Sequence, residues 1–423
     1  MGKKLWIIVL AIIVIAVGGL SFWLPGRYVE QGLKQLEAND NRLFDVSVDK
    51  TSPEQFDVNV RGRDAQTPMA LNVKNTLKKS IWKSKVGHEV YLDEAMVAGN
   101  SPALGQWLQT NLIDQPFLTG ETTFDLLGNY TTHLESIAIK DELDEVRVTA
   151  AKIVGDITGN AKGDVTADVQ WPGLTILPIE DEGELKILPI SLSSKGHYLS
   201  SMMFIGEQKL VGEGFTFVDN SRITEQSIAV AGYTFSAKAE ENDGRLEGKI
   251  SASLDSIELS GIEEPFNMSD VQAEISIDGL EMSNFERLNV AASEMAETGM
   301  PSQEFMAEMN QIIRNGFSLG LNSWRAEIDG LSFNMDANLT LTENTVADLQ
   351  NPMSLLGLLG NVTAKMNMAF DAGLTDIQEL SDAIDSLQKM GALVQKGDQY
   401  VMDFSMENGL PKLNGEVLQL PGL

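Results

Sequence analysis

From about residue 226 onward, apolar side chains return at every second position. In QSIAVAGYTFSAKA the set Ile228, Val230, Tyr233 and Phe235 alternates with small or polar residues on either side of Gly232. GRLEGKISASLDSIEL repeats the beat more sparsely through Leu246, Ile250 and Leu254, and NVTAKMNMAF carries it strictly through Val362, Ala364, Met366, Met368 and Phe370. A period of two sends successive side chains to opposite faces, so these stretches predict antiparallel strands with one face buried.

Turn dipeptides punctuate the pattern. Asp278-Gly279 and Asp329-Gly330 each sit inside IDGL, and Asn408-Gly409 and Asn414-Gly415 divide the C-terminal YVMDFSMENGLPKLNGEVLQL. Asp243-Gly244 belongs to the same set. Asp-Gly and Asn-Gly supply the positive φ angles of tight hairpins, so all five pairs are read as hairpin turns. Their spacing is too irregular for a solenoid.

A period nearer 3.6 interrupts the strands at a few places. PALGQWLQTNLI predicts a short helix. PSQEFMAEMNQIIRNG predicts one that starts at Pro301-Ser302, places Phe305, Met309, Ile312 and Ile313 on one face, and stops at Gly316. LTDIQELSDAIDSLQKMGAL predicts another with Thr375 and Gln378 as a capping box, an apolar stripe through Ile377, Leu380, Ile384 and Leu387, and Gly391 at its end. The fold class is therefore mainly β with a few helices.

The N-terminus follows a different code. Twenty residues from Leu5 to Leu24 carry no charge. They include Leu5, Trp6, Ile7, Ile8, Val9 and Leu10, then Ile12, Ile13, Val14, Ile15 and Val17, then Leu20, Phe22, Trp23 and Leu24. As a helix such a run measures about 30 Å, the thickness of a bilayer's hydrocarbon core. Lys3 and Lys4 precede it, which predicts a single-pass anchor with the remaining chain outside the cytoplasm. A cleaved signal peptide is the competing reading, although its apolar region normally runs to only about 7–15 residues. The expected division is 1–24 as cytoplasmic tip and anchor and 25–423 as an external β-rich domain. Val29, Leu33 and Leu36 give a juxtamembrane helix over 25–41, and a subdivision is expected near 265–285.

Charge narrows the partners. The chain has 61 acidic and 31 basic residues, a net −30, which argues against nucleic acid, since neutralising phosphates needs Lys and Arg. Seven basic residues between Arg61 and Lys85 depart from the trend; they are read either as a contact for lipid headgroups or an acidic partner, or as a solvated helix face. The absence of cysteine removes disulfides and thiolate chemistry. His88, His133 and His197 lie far apart in sequence, and no zinc, nucleotide-binding or nucleophile-elbow motif is present. The acidic runs IEDEGE and KDELDEVR lack the pattern of a calcium loop. No catalytic, cofactor or metal residue is assigned, and the chain is read as a non-enzyme. Nine of the 18 methionines lie between Met282 and Met368, either as core filler or as the lining of an adaptable apolar groove.

In their order along the chain, FWLPGRYVEQGLKQL, QPFLTGETTFDLLGNY, DVQWPGLTI, MMFIGEQKLVGEGFTF and the segment from LGLLGNVTAKMNMAF to the C-terminus resemble the YdgA family of bacterial proteins. Where that family is expected to carry His-Gly-Pro near His88, this chain has VGHEVY. The resemblance implies an inner-membrane anchor, a periplasmic body and a long curved antiparallel sheet similar to AsmA-like proteins; it implies no catalytic residues. Three functions remain: binding of an apolar or extended ligand (lipid or another envelope protein) on a sheet, an envelope scaffold, and a carboxylate-dependent hydrolase.

Overall fold

The structure is a computed structural model. It describes residues 44–418 except 53, 63–69, 80–82, 93–114, 126, 144–145, 179–182, 200–203, 220–225, 262–264, 285–286, 289–301, 345–356 and 359. The expected anchor, the juxtamembrane helix and the helix in PALGQWLQTNLI lie outside the described residues. Among the described residues no helix is long and apolar enough to cross a membrane.

The described chain is mostly antiparallel β-sheet with few helices, and it divides into two compact units. The first comprises residues 1–198 with 215–223, and the second 199–214 with 224–423. The expected subdivision near 265–285 falls instead inside a strand of the second unit that is paired on both sides.

In the first unit, β1 (Phe44–Ser52), β2 (Gln55–Gly62), β3 (Ala70–Lys79), β4 (Lys83–Leu92), β5 (Leu118–Asp125) and β6 (Asn129–Ser136) pair in sequence order. β7 (Ile139–Leu143) and β8 (Val146–Ala150) form a hairpin, while β9 (Val154–Asn160) returns to β6 and β10 (Asp164–Trp171) follows it. β11 (Leu174–Pro178) joins β8 to β12 (Gly183–Ile187), and β13 (Ile190–Tyr198) pairs with β10. β14 (Phe204–Asp219) belongs to this unit from Phe215 onward, where it pairs with β12, and to the second unit before that.

The alternation of this unit buries one face deeply: Val58, Val73, Val86, Val90, Leu134 and Ile157 belong to one core cluster. The described residues of the basic stretch form strands and not a helix. Val73 and Val86 point into the core, while Lys74 lies 4.2 Å from the centre of the Tyr91 ring and Lys85 pairs with Glu121 at 2.5 Å. Alternation of Leu71, Val73 and Leu77 outweighs the helix-compatible spacing of the lysines, because burial of aliphatic side chains contributes more than solvated charge.

In the second unit, β15 (Gln226–Asn242), β16 (Arg245–Ser260), β17 (Phe266–Glu281), β18 (Phe317–Ile328), β19 (Leu331–Leu341), β20 (Val362–Asp371) and β22 (Gln399–Glu407) pair in that order, with β21 (Val394–Lys396) also on β22. β23 (Leu410–Leu413) and β24 (Glu416–Val417) complete the run. α1 (Gln303–Asn315) is capped by the Ser302 hydroxyl, which accepts from the Phe305 N–H, and ends at Gly316; it buries Ile312 and Ile313. α2 (Gln378–Lys389) follows a 3-10 turn over Ala372–Asp376. The expected capping box does not form: the Thr375 hydroxyl donates to the Ala372 carbonyl inside that turn, and the N-cap is Ile377 without a side-chain bond. Thr375 lies too far upstream once the 3-10 turn has taken the first backbone bonds.

Four of the five turn pairs close two-residue hairpins. Asn242 faces Arg245, Ile328 faces Leu331, Glu407 faces Leu410 and Leu413 faces Glu416, with positive φ at both Asp243-Gly244, Asp329-Gly330, Asn408-Gly409 and Asn414-Gly415. Asp278-Gly279 is a correction. β17 runs through it, and only Gly279 has positive φ, at 80°. The pair forms a bulge against β16, where the register shifts between Leu246 and Gly248. Beyond it Leu280 faces Leu246 and packs with Ile312, so core burial holds the strand straight past its turn signal.

Candidate functional site

Cross-strand partners share a face of a sheet, so the register turns the alternating sequence into rows running across the strands. One row reads Ala237, Ile250, Ile275, Leu321, Ala337, Met366, Phe404 and Leu413. The neighbouring row on the same face reads Phe235, Ala252, Ala273, Trp324, Met335, Met368 and Met402. Between them, on the opposite face, lie Ser236, Ser251 and Glu274; the next polar row is Lys238, Lys249, Ser276, Gly320, Asn338, Lys365, Ser405 and Lys412. One face is uncharged along these rows and the other is polar, with Lys249 paired to Glu274 at 2.7 Å.

The apolar face is covered unevenly. Over β20 and β22, α2 and its preceding turn bury Phe370 to 3 % and Met402 to 8 % exposure, with Leu374, Ile384, Met366 and Met368 in the same cluster. α1 covers Leu246 and Leu280 in one cluster and Leu341 in another. Between those helices the face is open: Phe235 is 46 % exposed, Ile250 45 %, Ile275 49 % and Trp324 45 %, and Leu319 and Leu339 are exposed as well. These six residues span five strands, β15 to β19, or about 19 Å at the usual spacing. Ala252 and Ala273 lie between Phe235 and Trp324 in their row, so large side chains flank a low floor. Trp324 meets the Phe333 ring edge-on at 5.2 Å between centroids, which fixes its indole on this face.

Two features hold the open region in shape. The Tyr233 ring occupies the place where any side chain at Gly212 would stand, 2.1 Å from a Cβ there, so the close approach of β14 requires glycine. On β18 an extra residue between Leu321 and Trp324 shifts the register, so Leu321 and Trp324 both stay on the apolar face although three positions apart. Ile228, Val230, Tyr233, Phe235, Ile250 and Leu254 carry a visible alternation in the sequence. Ile275 lies in AEISIDGLEM, which alternates as well. Trp324 was missed because the bulge breaks the period; Leu319 and Leu339 were missed although LGL and NLTL give the same signal. The methionines of this region divide: Met366, Met368 and Met402 pack under α2 as core, and Met335 sits at the border of the open part.

The three histidines are dispersed. His88 stands on β4 and is buried on the apolar face of the first unit. The Asn75 amide donates to the Val73 carbonyl at 2.9 Å, so its oxygen accepts from His88 Nδ1–H at 2.8 Å. The neutral ring then accepts at Nε2 from the Thr122 hydroxyl at 2.6 Å, and Thr122 accepts from Thr132 at 2.9 Å. Burial pushes the His88 pKa down to about 4. His133 pairs with Asp156 at 2.8 Å and His197 with Asp164 at 2.9 Å, both exposed. Among the described residues no group of three acidic or histidine side chains is placed to hold a metal. The described residues of KDELDEVR lie on β7 and β8, where Arg147 binds Glu142 at 2.7 Å.

These features define a mainly antiparallel β protein that presents an open, uncharged sheet face. The chain belongs to DUF945, a family of bacterial proteins of unknown function, whose model matches residues 94–421. No curated protein and no solved structure matches it.

Proposed function

We propose that this protein is a non-enzymatic binder that receives an apolar partner on the open face of its second unit. The observation that carries this is the half-exposure of Phe235, Ile250, Ile275 and Trp324 on a face whose rows carry no charge. Contiguous exposed apolar surface on a folded protein marks interaction sites, and covering each of these side chains gains on the order of 1 kcal/mol. The N-terminal apolar run from Leu5 to Leu24 and the resemblance to the YdgA family support a setting for this activity: anchored in the inner membrane, with the sheets in the periplasm.

Trp324 provides the test, because it is itself part of the face. With Trp6 and Trp23 replaced by Phe, a brominated alkane added to the full chain is expected to quench tryptophan emission, and much less once Trp324→Phe is added. Equal quenching in both would mean that the face takes up no apolar group.

A further inference from the structure

The open face lacks the groups that a polar partner needs. β16, β17 and β18 are each paired on both sides, so their ladders use the backbone N–H and C=O groups. The centre of the open part holds Phe235, Ile250, Ala252, Ala273, Ile275 and Trp324, with Leu319 and Leu339 beside them, and the only hydrogen-bonding group among these side chains is the Trp324 indole N–H. An extended peptide laid here would bury a donor and an acceptor at every residue with nothing to pair them. A helix satisfies its own backbone, but with side chains it is about 10–12 Å across and covers roughly half of a face about 19 Å wide. A second copy of the chain brings its own net charge of −30 against the same charge.

Resting on the reading above, we propose that the occupant is hydrocarbon: the acyl chains of a lipid lie on the sheet over Ala252 and Ala273, between Phe235 and Trp324, with the headgroup outside the face. Flexible methylene chains carry no polar atoms and conform to a floor of uneven height. The net charge of −30 disfavours an anionic headgroup, which directs the choice to zwitterionic or uncharged lipids.

The test uses the full chain in zwitterionic vesicles containing a phosphatidylcholine with a photoreactive diazirine on its acyl tail. Illumination is expected to label peptides from β16, β17 and β18, and Ile275→Glu is expected to lower that labelling roughly tenfold, with circular dichroism unchanged. Ala252→Phe is the second variant: it fills the floor without adding charge and is expected to lower labelling of β16 and β17 in the same direction. Labelling confined to other segments, or unaltered by both variants, overturns the inference.

Two further arms separate this failure from failure of the broader reading. Self-association measured by sedimentation, or binding of a synthetic amphipathic helical peptide, that is lost in Ile275→Glu while no lipid labels the sheet would overturn hydrocarbon and leave apolar binding standing. Absence of all three overturns both.

Discussion

The two units use the same alternating pattern to opposite ends. In the first, Val58, Val73, Val86 and Ile157 sit on strands that read like those of the second, and all are buried in one cluster. In the second, Ile250 and Ile275 face each other across β16 and β17 and each keeps nearly half of its surface in water. Period two therefore specifies which side chains share a face, and says nothing about whether that face is covered. The first unit also places His88, Asn75, Thr122 and Thr132 within its covered face, where each finds a partner. Among the described residues of the open face of the second, Phe235, Ile250, Ala252, Ala273, Ile275 and Trp324 bring one polar group, the Trp324 indole N–H, which suits the apolar partner proposed above.

Truncation offers the sharpest way to break this contrast. Ile157→Ala in the first unit is expected to cost about 2–5 kcal/mol, because it leaves a cavity in a packed core. Ile275→Ala is expected to cost well under that, about 1 kcal/mol or less, since the side chain is half exposed. Native-state hydrogen exchange resolved by segment checks both. Equal losses in the two units would mean that the face of the second is covered in solution.

Acid comes next in size. The folded pKa of His88, about 4, lies below the ordinary value of 6.5, so between these two pH values the unfolded chain binds the proton that the folded chain refuses. Stability from this group is complete above about pH 6.5, declines as pH falls, and is fully lost below about pH 4. The total is roughly 3 kcal/mol, confined to the first unit. Amides of β3 to β5 should lose protection over this window, and His88→Gln should flatten the dependence. An equal loss in β16 to β18 would count against the local origin.

A smaller effect separates the two IDGL turns. Nothing approaches a Cβ at Gly330, yet its φ is 79°, so Gly330→Ala should destabilise the β18–β19 hairpin by about 1 kcal/mol through backbone strain alone. Smallest is the exposed Lys85–Glu121 pair, where Lys85→Ala should change stability by less than about 1 kcal/mol and the difference should vanish in high salt. Thermal unfolding at two salt concentrations measures it.

Much of this was legible in the chain itself. Alternation marked β15, β16 and β20, and the stripe through Ile312 and Ile313 with Ser302 and Gly316 at its ends marked α1. The departures share one cause: in the folded chain, distant contacts compete with a local signal and outweigh it. Asp278-Gly279 has the chemistry of a turn, but Leu280 gains more by packing with Leu246 and Ile312 than the chain gains by reversing. The lysines between 74 and 85 have helix-compatible spacing, but burial of Val73 and Val86 in the core sets them on strands. Trp324 escaped the pattern because a bulge advances the phase by one residue.

By itself the amino-acid order determined that this is a β-rich chain, where most of its tight turns fall, and that apolar side chains return to one face at every second position, because side-chain direction and positive φ are properties of a few adjacent residues. Only the tertiary structure decided which strands are neighbours, that α2 lies over β20 and β22, and that the surface between Phe235 and Trp324 is left open. Those outcomes depend on contacts between residues far apart in the chain, where burial in one place is gained at the expense of another, and no short stretch carries that information.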